Sequence, residues 1–596
     1  MIITNIKTWM YEDNLEGLLF FSQRILELAY DKSDFKEKNI SVDFNDIINE
    51  ILDLIEFQKE VKEDISTTEL EILILELKDR IYKDEVIKII LGDKIENYIS
   101  KLSVGCDRNI LTNTLEVLKL KINPYEYYSN SKNLIKNLIL INKNRDKLFD
   151  VTTRLFEFLI WYGYQKGTIY FLTNRYFFDR NGSKKITSTD DVDGFFELFD
   201  LKEKEFEVAF VASRLFTEIQ DSCKKFNLSV IESRDPVYNE TLESKFFKNV
   251  RGKKVFLVCN NIKAVDYLHA MKVAEKRISL VSDLFVVFHH KHKPWHSDYC
   301  LVYKHDKNTV IKLYKPSNIM TNKSEDDFTY AKDIFPIFLK RFSLEKDSFN
   351  RFNRGVELHA LSLETNEVAS QILNFWICLE ALLITNKGKT HIATVTEYIQ
   401  LIISHYALRE RIDNLTACIK LWDNNFKAKI TSPIPPEIDS LDPDEFVAAL
   451  VTVVKYKPLA GELLASMQHQ PLLRFKFMLC VKSMQNRKGV TKILEKQILQ
   501  CERDIRRIYR SRNKIVHQGN ISDHNEYIAE MAHYYLDLVL FSIIERKIKF
   551  NDIRSIDNLV NELKISKERH EKYIKDAEEE DLTEKNFSNV IYGSRF

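Results

Sequence analysis

Apolar residues recur at the three- and four-residue spacing of an α-helix over two long parts of the chain, residues 1–163 and 350–550. A clear example in the first part is the set Ile47, Ile48, Ile51, Leu52 and Ile55. Glycine and proline, which most often interrupt helices, number only 14 and 11 among 596 residues. The pattern therefore predicts a mostly α-helical protein, and the length predicts two to four domains.

The periodicity changes near Gly167, where short β-branched and aromatic runs begin. Residues 168–172, 255–258 and 284–288 predict strands, with helices around 206–223 and 264–274. Residues 299–303 and 310–314 flank Asp306-Lys307-Asn308 and predict a hairpin. We therefore expect a small α/β domain over 164–345, after a helical region over 1–163. It contains neither G-x-G-x-x-G nor G-x-x-x-x-G-K-[ST], so these loops give no support for nucleotide binding.

The C-terminal part is predicted to be a helical domain over 350–550. Its first strong helix carries Val368, Ile372, Phe375, Trp376, Leu379, Leu382 and Leu383 and ends near Gly388. A second helix is predicted over 394–406, and four prolines within 431–443 predict a non-helical loop or insertion. A long helix follows, and Asp523 and Glu526 predict the start of the last one. Residues 551–596 are predicted to be a charged, solvated helical tail.

The charge balance and the cysteines narrow the class of protein. Lysine plus arginine and aspartate plus glutamate number 88 each, so a nucleic-acid site would have to be a local basic patch. The N-terminus lacks the pattern of a secretion signal, and no apolar run approaches the length of a membrane span. Eight scattered cysteines without C-x-x-C favour a reducing compartment. We expect a cytoplasmic protein without a membrane partner.

The stretch RSRNKIVHQG, residues 510–519, joins a run of cations to a single histidine. On an unbroken helix, Arg512 and His517 would lie about 140° apart. Gly519 predicts the helix end, so His517 would occupy the last turn. There it could bend back toward Arg512, or the two side chains could meet their counterparts in another copy of the chain.

Arginine and histidine together can cleave RNA without a metal ion. An imidazole exchanges a proton near neutral pH, and a guanidinium stabilises the extra charge of a pentacovalent phosphate. RNA supplies its own nucleophile, the 2′-hydroxyl. The alternative is a solvated basic helix end, with His517 complementing the helix dipole. The cations of that helix end would be Arg503, Arg506, Arg507, Arg510 and Lys514.

The pattern R-N-x-x-x-H at Arg512, Asn513 and His517, followed by Gly519, resembles the signature of the HEPN superfamily of helical ribonucleases. The preceding residues IYRS (508–511) and the upstream FWICLEAL (375–382) resemble the ApeA-like branch, found at the C-terminus of many bacterial anti-phage defence proteins. The resemblance covers residues 350–550.

The resemblance implies a metal-independent endoribonuclease of abortive-infection defence, acting on single-stranded or loop RNA, with tRNA as one candidate. Arg512 would stabilise the phosphate, Asn513 would orient it, and His517 would be the general acid/base. Glu380 would support Arg512. It also implies no cofactor, a 2′,3′-cyclic phosphate product and a homodimer through the HEPN domain.

We further assign Arg506, Arg510 and Lys514 to RNA binding. Residues 1–345 are expected to hold a sensing or restraining surface, with a phage-derived trigger as a candidate partner. The competing hypothesis is a catalytically silent HEPN module used for dimerisation or RNA binding.

Two other histidine-bearing stretches remain. Arg354 and His359 have the same spacing as Arg512 and His517 but lack the polar residue after arginine, and we interpret them as an ordinary helix entry. The dense loop of His289, His290, His292 and His296 leaves three alternatives open: a zinc site, a loop that contacts RNA or a partner, or a plain surface loop. A nuclease that used a metal in this loop would lose activity in EDTA.

Overall fold

The structure is a computed structural model. It describes residues 4, 6–7, 9–10, 13–30, 42–61, 67–141, 144–179, 185–248, 254–316, 318, 320, 327–341, 343–384, 390–519, 525–550, 553–575 and 581–593. The predicted helix stop at Gly388 and the predicted helix start at Asp523 lie outside these residues. The architecture is mostly α-helical with one five-stranded sheet in the middle of the chain, as the sequence predicts.

The N-terminal part is a layered helical assembly around one apolar core. Its helices are α1 (Glu16–Ala29), α2 (Phe44–Val61), α3 (Thr67–Lys83), α4 (Glu85–Leu91), α5 (Ile95–Ile99), α6 (Arg108–Lys121), α7 (Pro124–Leu140), α8 (Arg145–Tyr162), α9 (Lys166–Phe177) and α10 (Asp191–Phe196). Helix α1 is central, because its residues are buried on every side from Gly17 to Ala29. The core continues past residue 163 to Leu201, so α9 and α10 belong with the helical part.

The strand prediction for residues 168–172 is wrong. These residues form part of α9, which buries Ile169, Thr173 and Phe177 at a spacing of four and leaves Phe171 exposed. A five-residue apolar run does not distinguish a strand from a buried helix turn, and here the four-residue spacing decides the outcome.

The sheet consists of β1 (Lys204–Ser213), β2 (Leu228–Ile231), β3 (Lys254–Ala264), β4 (His296–Lys304) and β5 (Thr309–Tyr314). The order is β2-β3-β1-β4-β5, and every pairing is antiparallel. The accompanying helices are α11 (Leu215–Glu218), α12 (Gln220–Lys224), α13 (Glu240–Lys248) and α14 (Tyr267–Phe288). Apolar clusters cover both faces, so the central strand β1 is buried almost throughout.

Some of the strands and helices that the sequence predicts in this region are confirmed, and others are wrong. The strand at 255–258 and the hairpin of β4 and β5 are confirmed, with Asn308 in the left-handed conformation at φ 49°. The helix expected from residue 206 is wrong as far as residue 213, which is strand β1. The strand expected at 284–288 is also wrong, since these residues close the 22-residue helix α14.

The C-terminal part is a helical bundle. Its helices are α15 (Asp327–Arg341), α16 (Lys346–Glu364), α17 (Val368–Leu383), α18 (His391–Trp422), α19 (Pro436–Asp439), α20 (Pro443–Thr452), α21 (Lys457–Ser466), α22 (Pro471–Met484), α23 (Arg487–Gln518), α24 (Asn525–Lys549), α25 (Ile556–Lys575) and α26 (Phe587–Tyr592). The proline-rich stretch is not wholly irregular, because α19 begins at Pro436, where proline is tolerated in a first helical turn.

The last two helices are integral to the bundle. Leu559, Leu563, Val590 and Ile591 are at most 2% exposed and join the C-terminal core. The segment is helical as predicted, but the expectation of a solvated appendage is wrong for its described residues.

One described helix segment, Glu526–Lys549 of α24, is long and apolar enough to cross a membrane, but 67% of its most apolar window is buried inside the protein. Met531, Ala532, Leu536 and Val539 are fully buried in the C-terminal core. The apolarity of α24 is therefore explained by its place in the bundle.

Candidate active site

Helix α23 carries most of the sequence-predicted site. The Asn486 side chain caps its first turn by accepting from the amide of Gly489 at 2.8 Å. Its apolar face is fixed by Cys501, Ile505 and Ile508, which are fully buried. The helix ends at Gln518, and Gly519 follows in the left-handed conformation at φ 61°, as the sequence predicts.

Arg512 and Asn513 form a local pair on this helix. Arg512 Nη1 donates to Asn513 Oδ1 at 3.0 Å. Arg512 Nε is buried and has no hydrogen-bond partner among the described residues. This buried atom is out of reach of an incoming ligand, so an oxyanion would have to contact the accessible part of the half-buried Arg512 side chain.

His517 is exposed in the last turn of α23 and makes no hydrogen bond or ion pair with the part of the chain that the structure describes. It remains helical, so it lies about 140° around the axis and about 7.5 Å along it from Arg512. A single copy does not pair the two side chains. An imidazole and a guanidinium acting on one phosphate would need a second copy or a local rearrangement of this turn.

Glu380 is placed differently from the role that the resemblance implies. Its Oε1 atom lies 3.1 Å from His391 Nδ1, at the start of α18. No ion pair joins Glu380 to Arg512 in the described chain. Within one copy, the contact of this carboxylate is with His391.

The other cations of the helix end contact carboxylates of the N-terminal part. We call the resulting set of ion pairs the ionic ladder. Its members are Arg503–Asp79 at 2.7 Å, Arg506–Glu69, Arg507–Glu50 at 2.7 Å, Arg507–Glu76 at 2.8 Å, Arg510–Glu50 at 2.8 Å, Arg510–Glu69 at 3.0 Å and Lys514–Asp53 at 2.6 Å. Arg506, Arg510 and Lys514, which the sequence assigned to RNA binding, therefore have intramolecular partners here.

The ladder has a regular geometry. Its five cations span an arc of about 100° on α23. Helix α2 runs parallel to α23, since Glu50 contacts Arg510 and Asp53 contacts Lys514. Helix α3 runs in the opposite direction, from Glu69 at Arg510 to Asp79 at Arg503. The basic stripe thus lies against an antiparallel pair of acidic helices.

Arg507 is the buried centre of the ladder, with its side chain 1% exposed. Burial acts to lower its pKa, but the carboxylates of Glu50 and Glu76 outweigh burial and raise it well above the ordinary value. Burial likewise acts to raise the pKa of Glu50, and Arg507 and Arg510 outweigh it and lower that pKa. Arg507 and Glu50 therefore each favour the charged form of the other.

Arg512 points away from this interface. It lies on the opposite side of α23 from the stripe, whereas His517 falls within the same arc, about one turn beyond Lys514. Of the six cations from Arg503 to Lys514, Arg512 alone has no carboxylate partner among the described residues. The fold thus separates Arg512 from the cations that join the N-terminal helices to the C-terminal bundle.

The two other histidine-bearing stretches that the sequence singled out lie in different parts of the fold. His289 follows the end of α14, with its ring centre 5.5 Å from that of His292, while His296 lies in β4 against Phe210. These loop residues do not converge as a metal-ligand set in the described structure.

His359 lies inside α16 rather than at its entry, and it converges with His533 and Asp537 of α24. Sequence reasoning missed the latter two. The signal was their spacing of four, which places them on one face of a helix.

Comparison of the chain with protein-family models, with curated proteins and with solved structures gave no match.

Proposed function

We propose that the protein is a metal-independent endoribonuclease of the HEPN type, acting on single-stranded or loop RNA. The observation that carries the proposal is the separation on α23 between the five cations of the ionic ladder and Arg512, which is left for another ligand together with Asn513. His517 is exposed about 140° around the helix from Arg512. If the helix end were only a solvated basic surface, there would be no reason for five of its cations to have carboxylate partners while Arg512 has none among the described residues.

The proposed reaction uses the 2′-hydroxyl of the RNA as nucleophile. His517 accepts the proton of that hydroxyl, the 2′-oxygen attacks the neighbouring phosphorus, and the bond from phosphorus to the 5′-oxygen breaks. A second acid group protonates the departing 5′-oxygen. The products are a 2′,3′-cyclic phosphate and a 5′-hydroxyl. Arg512 holds the non-bridging oxygens, whose charge grows in the transition state.

A homodimer is part of the proposal, because one copy leaves Arg512 and His517 on different sides of α23. Two helix ends facing each other across a two-fold axis could place Arg512 of one copy beside His517 of the other. Each of the two composite sites would then hold one Arg512 and one His517, and a further group would protonate the departing 5′-oxygen.

The acidic helices α2 and α3 are the proposed restraining surface of residues 1–345. They cover the basic stripe that approaches His517, and their carboxylates occupy the positions where RNA phosphates would bind. A trigger that separates these helices from α23 would free several cations at once. We place this activity in the cytoplasm, in anti-phage abortive infection with a phage-derived trigger, on the basis of the family resemblance.

The decisive test is His517→Ala in the full-length chain, with total RNA as substrate and mapping of the cut ends. Cleavage and cell toxicity should fall by at least about 100-fold, a typical loss for a general acid/base. Folding should be unchanged, because His517 is exposed. His290→Ala, a second exposed histidine, is the matched control and should remain active.

Undiminished cleavage by His517→Ala would end the enzyme proposal. Cleavage should also persist in EDTA, in contrast to a nuclease that uses a metal in the histidine loop. The competing function, a silent module for dimerisation or RNA binding, predicts no RNA cleavage by the wild type under any condition, with dimerisation or RNA binding retained.

A further inference from the structure

Helices α16 and α24 bring two imidazoles and a carboxylate together in the C-terminal core. His359 Nε2 lies 3.2 Å from His533 Nε2 and 3.2 Å from Asp537 Oδ1, and His533 Nε2 lies 3.5 Å from Asp537 Oδ2. The side chains of His359, His533 and Asp537 are only 20%, 11% and 14% exposed. This histidine–aspartate cluster is the one group of potential metal ligands that converges among the described residues.

The spacing of these atoms suits ligands of one shared ion. A zinc ion with ligands at about 2.0–2.1 Å holds any two of them about 3.3–3.4 Å apart. His359 Nε2 lies 3.2 Å from both His533 Nε2 and Asp537 Oδ1, whereas the 3.5 Å distance from His533 Nε2 reaches the other carboxylate oxygen, Oδ2. These distances fit one shared ion, and the donor types decide which metal it is.

Hydrogen bonding can join the three groups without a cation, because an Nε2 that carries a proton can donate it to the other Nε2 across 3.2 Å or to the Asp537 carboxylate. The two Nε2 atoms cannot both carry a proton without directing two N–H groups at each other. At least one imidazole therefore presents a lone pair toward the other two groups, as a metal ligand must.

The surrounding structure fixes the ligands before any ion arrives. His533 and Asp537 are four residues apart on α24 and so share one face. The Phe375 ring of α17 stacks on His533, with centres 5.2 Å apart and planes 23° apart. The His359 and His533 rings are themselves 21° from parallel. Such packing restricts both imidazoles to the orientation in which their nitrogens converge.

We propose that His359, His533 and Asp537 bind one zinc ion that joins α16 to α24, with water as the fourth ligand. Two nitrogen donors and one oxygen donor favour a transition metal of this class over Mg²⁺ or Ca²⁺, which prefer oxygen ligands. Its ligands lie on α16 and α24, whereas Arg512, Asn513 and His517 lie on α23. The ion would therefore hold the bundle together and take no part in RNA cleavage, so this proposal does not depend on the proposed function.

The test uses the untagged full-length chain, stripped of metal and titrated with Co²⁺ as a spectroscopic probe for zinc. One equivalent should give the visible absorption bands of tetrahedral cobalt, and Zn²⁺ should displace it. Asp537→Asn and His359→Gln should each weaken Co²⁺ binding by at least about tenfold. Zn²⁺ should raise the melting temperature of the wild type and leave that of Asp537→Asn unchanged.

The control variant removes His290 and His292 from the loop after α14 and should bind Co²⁺ as the wild type does. Loss of the signal in this control would assign the metal to the loop and overturn the proposal. A wild-type chain with no tetrahedral cobalt spectrum would also overturn it, whatever the folding of the variants, and would leave the cluster a hydrogen-bonded polar core.

Discussion

Arg507 of α23 donates to Glu76 of α3 across 2.8 Å, in an ion pair whose side chains are 1% and 7% exposed. The same guanidinium also bonds Glu50 of α2 at 2.7 Å. Residues more than 400 positions apart in the chain are therefore joined through one buried cation. The packing of the N-terminal helices against α23 therefore depends on the balance of the buried Arg507 charge by the carboxylates of Glu50 and Glu76.

Removing one partner of this pair should destabilise the protein strongly. Glu76→Ala leaves Arg507 buried with one carboxylate in place of two, and loss of a buried partner typically costs about 3–5 kcal/mol. The measurement is the midpoint of urea unfolding. Glu71→Ala, on an exposed position of the same helix, should change stability by less than about 0.5 kcal/mol. Equal stability of the two variants would show that the pair contributes nothing.

Weakening the outer part of the ionic ladder should release the proposed restraint without removing the buried centre. The double variant Asp53→Asn, Glu69→Gln deprives Lys514 of its carboxylate and weakens the contacts of Arg506 and Arg510. Single-stranded RNA should then bind more tightly at low salt. The slope of log affinity against log salt should steepen by about 0.7 for each cation freed.

Glu71→Gln is the matched control for that experiment, because it removes an acid of α3 that takes no part in the ladder. RNA affinity and toxicity equal to wild type in the double variant would contradict the restraint. An increase of the same size in Glu71→Gln would point to net charge rather than to the ladder.

The sequence predicted the helical parts well because their apolar faces are long and regular. The helix around Trp376, the long helix that ends at Gly519 and the hairpin around Asn308 depend on local signals: periodicity, a stop residue and a turn. The failures lie where a short apolar run is compatible with either state. Residues 168–172 and 284–288 became helix and residues 206–213 became strand because tertiary packing selects between such states.

Contacts between distant parts of the chain were beyond sequence reasoning. The run of arginines on α23 predicted a basic stripe, but nothing local indicated that Glu50, Glu69 and Glu76 would cover it. Likewise His533 and Asp537 become a candidate site only when α16 places His359 opposite them. The position of Arg512 at a helix end could be predicted, whereas its separation from the ladder could not.

A mixing experiment should reveal whether the candidate site is shared between two copies. Arg512→Ala and His517→Ala should each be inactive alone. If Arg512 of one copy acts with His517 of the other, co-expressed heterodimers regain one intact site, and total RNA cleavage should recover to roughly a quarter of wild type. Two variants that remain inactive when mixed, although shown to form heterodimers, would place both groups of a site in one copy.

Asp504 of α23 should make stability depend on pH in the direction opposite to that of a typical acidic group. It is buried, accepts from the Tyr535 hydroxyl at 2.7 Å and from Gln500 at 2.8 Å, and burial nevertheless raises its pKa to about 6. The unfolded chain binds the Asp504 proton less tightly than the folded protein does. The contribution of Asp504 to the free energy of unfolding should therefore fall as pH rises from about 4 to 6 and level off above that. The loss is on the order of 2–3 kcal/mol.

Asp504→Asn, which cannot ionise, should therefore gain melting temperature relative to wild type between pH 4.5 and pH 7.5. Asp190→Asn, at an exposed position, should follow the wild-type profile, and parallel profiles for all three proteins would refute the assignment.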